Sequence, residues 1–150
     1  MSYPPMSSLY QQLILDHYRK PRNKSELADA TASVHMRNPV CGDEIRLQLK
    51  VRDGVIEAAH FTGQGCSISQ ASVSTMTGLL KGKTVAEAVE LAGRFTDMMH
   101  GSEAPSKDRA MGDLRALQGV SKFPVRIKCA LLGFDALQEA LGEGMEDGSH

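Results

Sequence analysis

The sequence contains no apolar run approaching the roughly 20 residues that a membrane-spanning helix needs, which excludes a helical membrane protein. Its first residues, Met1-Ser2-Tyr3-Pro4-Pro5-Met6, lack the charged and apolar regions of a secretory signal, so a cytoplasmic protein is expected. An excess of charge of one sign is also missing: 17 Lys and Arg against 18 Asp and Glu leave a formal net charge of −1. With both signs scattered along the chain there is no basic stripe for nucleic acid and no cationic helix for a membrane surface. Cysteine is scarce and odd in number, three residues in 150, and no two stand as close as the paired cysteines of a zinc finger. In a reducing compartment an odd count argues against a disulfide framework and leaves metal binding or thiol chemistry. No local pattern supports the Cys–His pair and oxyanion hole of a cysteine hydrolase. Internal repeats and long linkers are absent as well.

At 150 residues and 41% hydrophobic content, the chain can form one domain with its own core, covering 1–150 with frayed ends at about 1–6 and 143–150. A helix is predicted from about Ser7 to Lys20, ended by Pro21, with Leu9, Leu13 and Ile14 on one packing face beside Tyr10, His17 and Tyr18. His17 reads as structural. A strand follows near Thr31 to Arg37. Ile45, Leu47, Leu49 and Val51 then alternate with polar residues as in a half-buried strand, Asp53-Gly54 supplies a hairpin turn, and Val55 to Phe61 returns. Helices are expected from Cys66 to about Lys81, from Val85 to Phe95 behind the capping box Thr84-Val85-Ala86-Glu87, and from Pro124 to Leu141. In the second of these, Val85, Val89 and Ala92 are expected to face the core. The segment Thr96 to Lys107 reads as an exposed loop, and Met111, Leu114 and Leu117 space a short helix before Gly119. The predicted fold is α+β, an antiparallel three-stranded sheet with helices packed on one face.

The three cysteines each follow a turn or a helix-start signal instead of lying inside an apolar stripe. Cys41 sits in Pro39-Val40-Cys41-Gly42-Asp43, where a residue without Cβ lets the chain turn so that Cys41 and Asp43 can point at one ion. Cys66 follows Gly63-Gln64-Gly65 at the opening of a helix, where the amides of the first turn stabilise a thiolate. Cys129 lies near the start of another helix, flanked by the cations Arg126 and Lys128. The hairpin brings Cys41 and Cys66 to the same end of the sheet. Three thiols and one carboxylate could close a metal site; the alternative for each cysteine is a buried, inert thiol that packs like a small hydrophobe. Arg126 and Lys128 either offset surplus negative charge or are solvated cations on a helix face.

Asn38-Pro39-Val40-Cys41-Gly42-Asp43, Phe61-Thr62-Gly63-Gln64-Gly65-Cys66-Ser67-Ile68-Ser69-Gln70-Ala71-Ser72 and Arg126-Ile127-Lys128-Cys129-Ala130 resemble the three cysteine segments of the U-type iron–sulfur cluster assembly proteins, from about Leu9 to about Leu141. Lys128 stands where scaffolds of the IscU type carry a histidine, and the segment from about Arg94 to Val120 is longer than in them. Both features resemble the SufU branch, within a SufE/NifU-like fold. That resemblance implies zinc held by Cys41, Asp43, Cys66 and Cys129, and sulfur relayed from a pyridoxal-phosphate cysteine desulfurase of the SufS kind to downstream cluster assembly proteins.

Cys41 is the expected sulfur acceptor, because its glycine-flanked loop can swing while Cys66 and Cys129 are held at helix starts. Two alternatives use the same ligands: a scaffold on which an iron–sulfur cluster is assembled, and a structural zinc module that binds a protein partner. His35, His60 and His100 are further candidates to approach the site, with His60 on a strand near Cys66.

Overall fold

Helix α1 (Ser8–Arg19) stops where Pro21 can no longer donate a backbone hydrogen bond, its last turn closed by Lys20 N–H donating to the Asp16 carbonyl at 2.8 Å. The computed structural model describes residues 8–40 and 42–149, with side chains from Gln11 to Val40 and from Gly42 to Gly142. Cys41, the expected frayed segment 1–6 and the side chains from Glu143 onward therefore lie outside the described residues, as do those of Leu9 and Tyr10. Ile14 and His17 are buried and Leu13 is half-buried, as the helical spacing requires, whereas Tyr18 projects outward at 46% exposure.

Strands β1 (Ala32–Asn38), β2 (Asp43–Arg52) and β3 (Val55–Gln64) form one antiparallel sheet in the order β1-β2-β3. Alternation fixes its inner face: Ile45, Leu47 and Leu49 are fully buried, flanked by Ala32 and Val34 on β1 and by Ile56, Ala59 and Phe61 on β3. Asp53 (φ 54°) and Gly54 (φ 77°) both take positive φ, the requirement of a two-residue turn whose twist matches its strands. A register shift beside Lys50 and Val51 then leaves Val51 half-buried.

The helices cover that inner face. Helix α2 (Ser67–Leu80) packs on β3, and α4 (Pro124–Ser149) packs on β1, β2 and α2. Small residues let α2 and α4 approach closely: the Ser72 hydroxyl donates to the Ala130 carbonyl at 2.6 Å, and a Cβ on Gly133 would come within 3.0 Å of Val73. Helix α3 (Val85–Met99) opens with the expected capping box, Thr84 Oγ1 accepting from Glu87 N–H at 3.1 Å and Glu87 Oε1 from Thr84 N–H at 2.9 Å.

Three details depart from the sequence reading. The core stripe of α3 is Ala88, Leu91, Ala92 and Phe95, and Val89, which lies roughly 115° round the helix from the centre of that stripe, is 46% exposed. The same helix continues through Thr96–Met99, because Met98 and Met99 extend the buried stripe. The segment Arg109–Lys122 is 3₁₀ in place of a short α-helix, after a first 3₁₀ turn at Ala104–Lys107. Met111, Leu114, Leu117 and Val120 recur every third residue, which is the period of a 3₁₀ helix and gives one buried edge. Gly112 breaks the segment with φ 53° where the Leu79 methyls lie beneath it. Phe95 and Phe134 stack at 4.4 Å between α3 and α4. Among the described residues no helix is long and apolar enough to cross a membrane.

Candidate metal centre

Asp43, Cys66 and Cys129 come from three different elements, yet one ligand atom of each lies within 4.8 Å of the other two. Asp43 is the first residue of β2, paired with Asn38 across the mouth of the β1–β2 hairpin. Gly42, at φ 72°, turns the loop into the strand in the left-handed region that favours glycine. The Asp43 carboxylate is 1% exposed. Its Oδ1 accepts the backbone N–H of Cys66 at 2.8 Å, and its Oδ2 is buried with no hydrogen-bond partner among the described residues.

Cys66 is the N-cap of α2, in an extended conformation, and its side chain makes no capping bond to the helix. The sulfur is thereby left for other partners at the start of the helix. Gly65 (φ 157°) is the cradle: a Cβ there would collide with Asp43 Oδ1 and crowd Ser69 Oγ at 2.7 Å. One turn of strand earlier, a Cβ on Gly63 would run into the Glu44 carbonyl.

Cys129 is fully buried in the second turn of α4, whose start at Pro124 is the one expected from the sequence. Pro124 occupies the first helical position, and the Cys129 sulfur lies 3.9 Å from the Val125 carbonyl. Asn38 Nδ2 approaches the same sulfur at 4.0 Å, while Asn38 Oδ1 accepts the Val40 N–H at 3.3 Å. This buried asparagine escaped the sequence reading; its only signal there is the Asn38-Pro39 pair that opens the cysteine loop.

The donor set suits a borderline-soft divalent ion. Zinc–sulfur and zinc–oxygen bonds of about 2.0–2.3 Å in a tetrahedron put ligand atoms roughly 3.3–3.8 Å apart, and three donors all within 4.8 Å of one another are near enough to share one ion. The orphaned Oδ2 marks where a positive partner is needed, because a buried carboxylate oxygen without one is costly. Cys41, the fourth expected ligand, lies outside the described residues; its neighbours Val40 and Gly42 are exposed at the mouth of the site.

Among the described residues no histidine joins the cluster. His60 lies on the outer face of β3, opposite Ala59 and Phe61, with Nδ1 3.0 Å from Ser25 Oγ. His35 Nε2 is 3.1 Å from Glu44 Oε2, and exposed His100 caps α3. His17 is structural in the expected sense: Nδ1 meets Ser74 Oγ at 2.9 Å and Nε2 meets Asp113 Oδ2 at 3.2 Å, tying α1 to α2 and to the 3₁₀ segment. Lys128 is solvent-exposed. Arg126 lines a cavity of about 330 Å³ with Cys66, Ser67, Ile68, Val120 and Phe123.

The model of the NifU-like N terminal domain matches residues 9–142. The zinc-dependent sulfurtransferase SufU of Bacillus subtilis is 48% identical over 145 residues, 97% of this chain and 96% of that protein. The iron–sulfur cluster assembly scaffold protein IscU of Streptococcus pyogenes is 40% identical over 94% of this chain and 87% of its own. A crystal structure from Fervidobacterium islandicum, described as a putative iron–sulfur cluster assembly scaffold protein for the SUF system, superposes with a TM-score of 0.80 at 32% identity, covering 87% of this chain and 94% of that one. A three-stranded antiparallel sheet with helices on one face, closing Asp43 and two cysteines at one end, and a match over nearly the whole chain lead to one assignment: the chain belongs to the family of NifU-like N-terminal domains, among the iron–sulfur cluster assembly proteins of the SufU and IscU type.

Proposed function

We propose that this chain is a zinc-dependent sulfur acceptor of iron–sulfur cluster assembly, taking sulfane sulfur from a pyridoxal-phosphate cysteine desulfurase onto Cys41 and passing it to downstream assembly proteins in the cytoplasm. The observation that carries the reading is the convergence of Asp43, Cys66 and Cys129 within 4.8 Å around an unpartnered buried carboxylate oxygen. It is supported by 48% identity, end to end, with a zinc-dependent sulfurtransferase. Cys41, Asp43, Cys66 and Cys129 would hold the ion. Zinc, when bound, supplies a Lewis acid that keeps its cysteine ligands deprotonated near neutral pH.

The chain's own residues provide the rest. Asp43 Oδ1 locks the Cys66 amide, so the carboxylate and the α2 cap keep their mutual position during transfer. Cys129 is held by its burial in α4. The Cys41 thiolate attacks the terminal sulfur of the donor's cysteine persulfide; a new sulfur–sulfur bond forms on Cys41, the donor's own bond breaks, and the donor cysteine leaves as thiolate. The proton on the transferred sulfur travels with it, and no external oxidant or reductant enters.

The test is metal and sulfide analysis of the purified protein, followed by mass spectrometry after incubation with desulfurase and cysteine. About one zinc per chain, no chromophore and one added sulfur on the Cys41 peptide are expected. Scaffold relatives at 40% identity favour a second reading, assembly of a cluster on the same thiolates. A brown protein with stoichiometric labile sulfide and little zinc would establish that reading instead.

A further inference from the structure

The chain has four phenylalanines and no tryptophan. Phe61, Phe95 and Phe134 are at most 1% exposed, as large aromatics in a core should be, but Phe123 is 46% exposed. Val125 (63%) and Val40 (75%) are more exposed still. These three are half of the six large hydrophobic side chains that stand out from the surface among the described residues. All three belong to the segments that carry the metal-site cysteines: Val40 precedes Cys41, and Phe123 and Val125 lead into the turn of α4 that holds Cys129. At Phe123 opens the cavity of about 330 Å³ walled also by Ile68 and Val120, with Cys66 in its lining. No acidic residue interrupts the sequence from Leu114 to Phe134, which carries Arg115, Lys122, Arg126 and Lys128. Lys122 and Lys128 are exposed.

Resting on the sulfur-acceptor reading, we infer that Val40, Phe123 and Val125 form the docking patch for the sulfur-donor protein, which seats an apolar side chain in the Cys66 cavity and turns an acidic surface toward Lys122 and Lys128. The occupant follows from the chemistry. A donor persulfide must come within roughly 3–3.5 Å of the acceptor thiol before sulfur moves. A standard interface covers about 800 Å² on each partner, a disc of about 16 Å radius, so whatever delivers sulfur to the Cys41 loop must also cover residues this near the site. Half-exposed aromatic and aliphatic groups beside a cavity are what such an interface uses as anchors, and flanking cations speed encounter with an acidic partner.

The experiment compares two donors: a cysteine desulfurase with cysteine, and inorganic polysulfide, which needs no docking surface. Sulfur gained by the chain is read by mass spectrometry, with zinc content and melting temperature measured on each variant. Phe123→Ala and Val125→Asp should slow loading from the desulfurase by about ten-fold or more at sub-saturating chain, the cost of losing one interface anchor. Both should load from polysulfide at the wild-type rate. Lys122→Glu should reduce the desulfurase on-rate at low salt and flatten its salt dependence.

Equal slowing with both donors would overturn the inference, because the residues would then act on the thiol itself. So would unchanged loading of Phe123→Ala and Val125→Asp by the desulfurase. A wild-type dimer that Phe123→Ala splits would assign the patch to a second copy of the chain. Failure of the wild-type chain to gain sulfur from either donor is a different result and sinks the sulfur-acceptor reading beneath it.

Discussion

Substitution of Asp43 separates the two tasks of its carboxylate. Oδ1 accepts the Cys66 N–H at 2.8 Å, and Oδ2 is the oxygen left for an ion. Asp43→Asn keeps an acceptor for the amide and removes the charge, whereas Asp43→Ala removes both. In the metal-free protein the Asn variant should fold at least as well as wild type, since a buried charge without a partner is gone. The Ala variant leaves the Cys66 amide without its acceptor, at a cost of about 1–3 kcal/mol. For a chain of this size each kcal/mol moves the midpoint by about 2–4 °C, so Ala should melt roughly 2–12 °C below Asn. Zinc reverses the order relative to wild type. Loss of a ligand should weaken binding at least as much as the largest outer-shell effects, about 100-fold. That removes about 2.7 kcal/mol of ligand-linked stability when zinc is in excess, or roughly 5–11 °C of the zinc-induced rise. Thermal melts with and without zinc, and the rate of zinc transfer to a colorimetric chelator, measure both effects. An equal zinc-induced rise in all three proteins, with unchanged transfer rates, would show that Asp43 is not a ligand.

Cys41→Ser should still bind the desulfurase but gain no sulfur, as read by pull-down and by mass spectrometry of the tryptic peptides; sulfur confined to Cys66 or Cys129 in a fully active Cys41→Ser protein would remove the assignment. Gly133→Ala places a methyl within 3.0 Å of Val73 and should force α2 and α4 apart at a cost of about 1–3 kcal/mol. Because those helices carry Cys66 and Cys129, the same variant should lose zinc to a chelator faster, which urea unfolding alone would not reveal. Thr84→Ala, by contrast, breaks the α3 capping box far from the metal and should cost about 1 kcal/mol in urea unfolding while zinc retention stays at the wild-type level.

Features written in local chemistry were legible in the sequence. The alternation of Ile45, Leu47 and Leu49 gave β2, Asp53-Gly54 gave its turn, and Thr84 with Glu87 gave the start of α3, because each depends on residues a few positions apart. The hairpin that was expected to bring Cys41 and Cys66 to one end of the sheet is present, and it sets Asp43, two positions after Cys41, beside Cys66. Val89 was misassigned because one valine in an amphipathic helix does not say where the stripe is centred; only the packing of Leu91 and Phe95 does. The 3₁₀ geometry of Arg109–Lys122 was hidden for a related reason, as apolar residues three apart also lie near one face of a short α-helix. Asn38 beside Cys129 was not legible: that contact joins a strand end to a helix 91 positions away and exists only after α4 has packed on the sheet.

The candidate ligands are spread along the chain in the order in which it is made. Asp43 leaves the ribosome early with the hairpin, Cys66 follows at the cap of α2, and Cys129 arrives only with α4, after the whole 3₁₀ segment has been synthesised. An unfinished chain can thus offer an incoming ion at most the first part of the set. Since chains begin to fold as they emerge, tight metal capture becomes a late event that discriminates completed molecules from truncated ones. Ribosome-stalled chains ending before Cys129 should let zinc exchange freely, and chains released after α4 should retain it, so that retention of the ion reports that synthesis and folding have both reached the last helix.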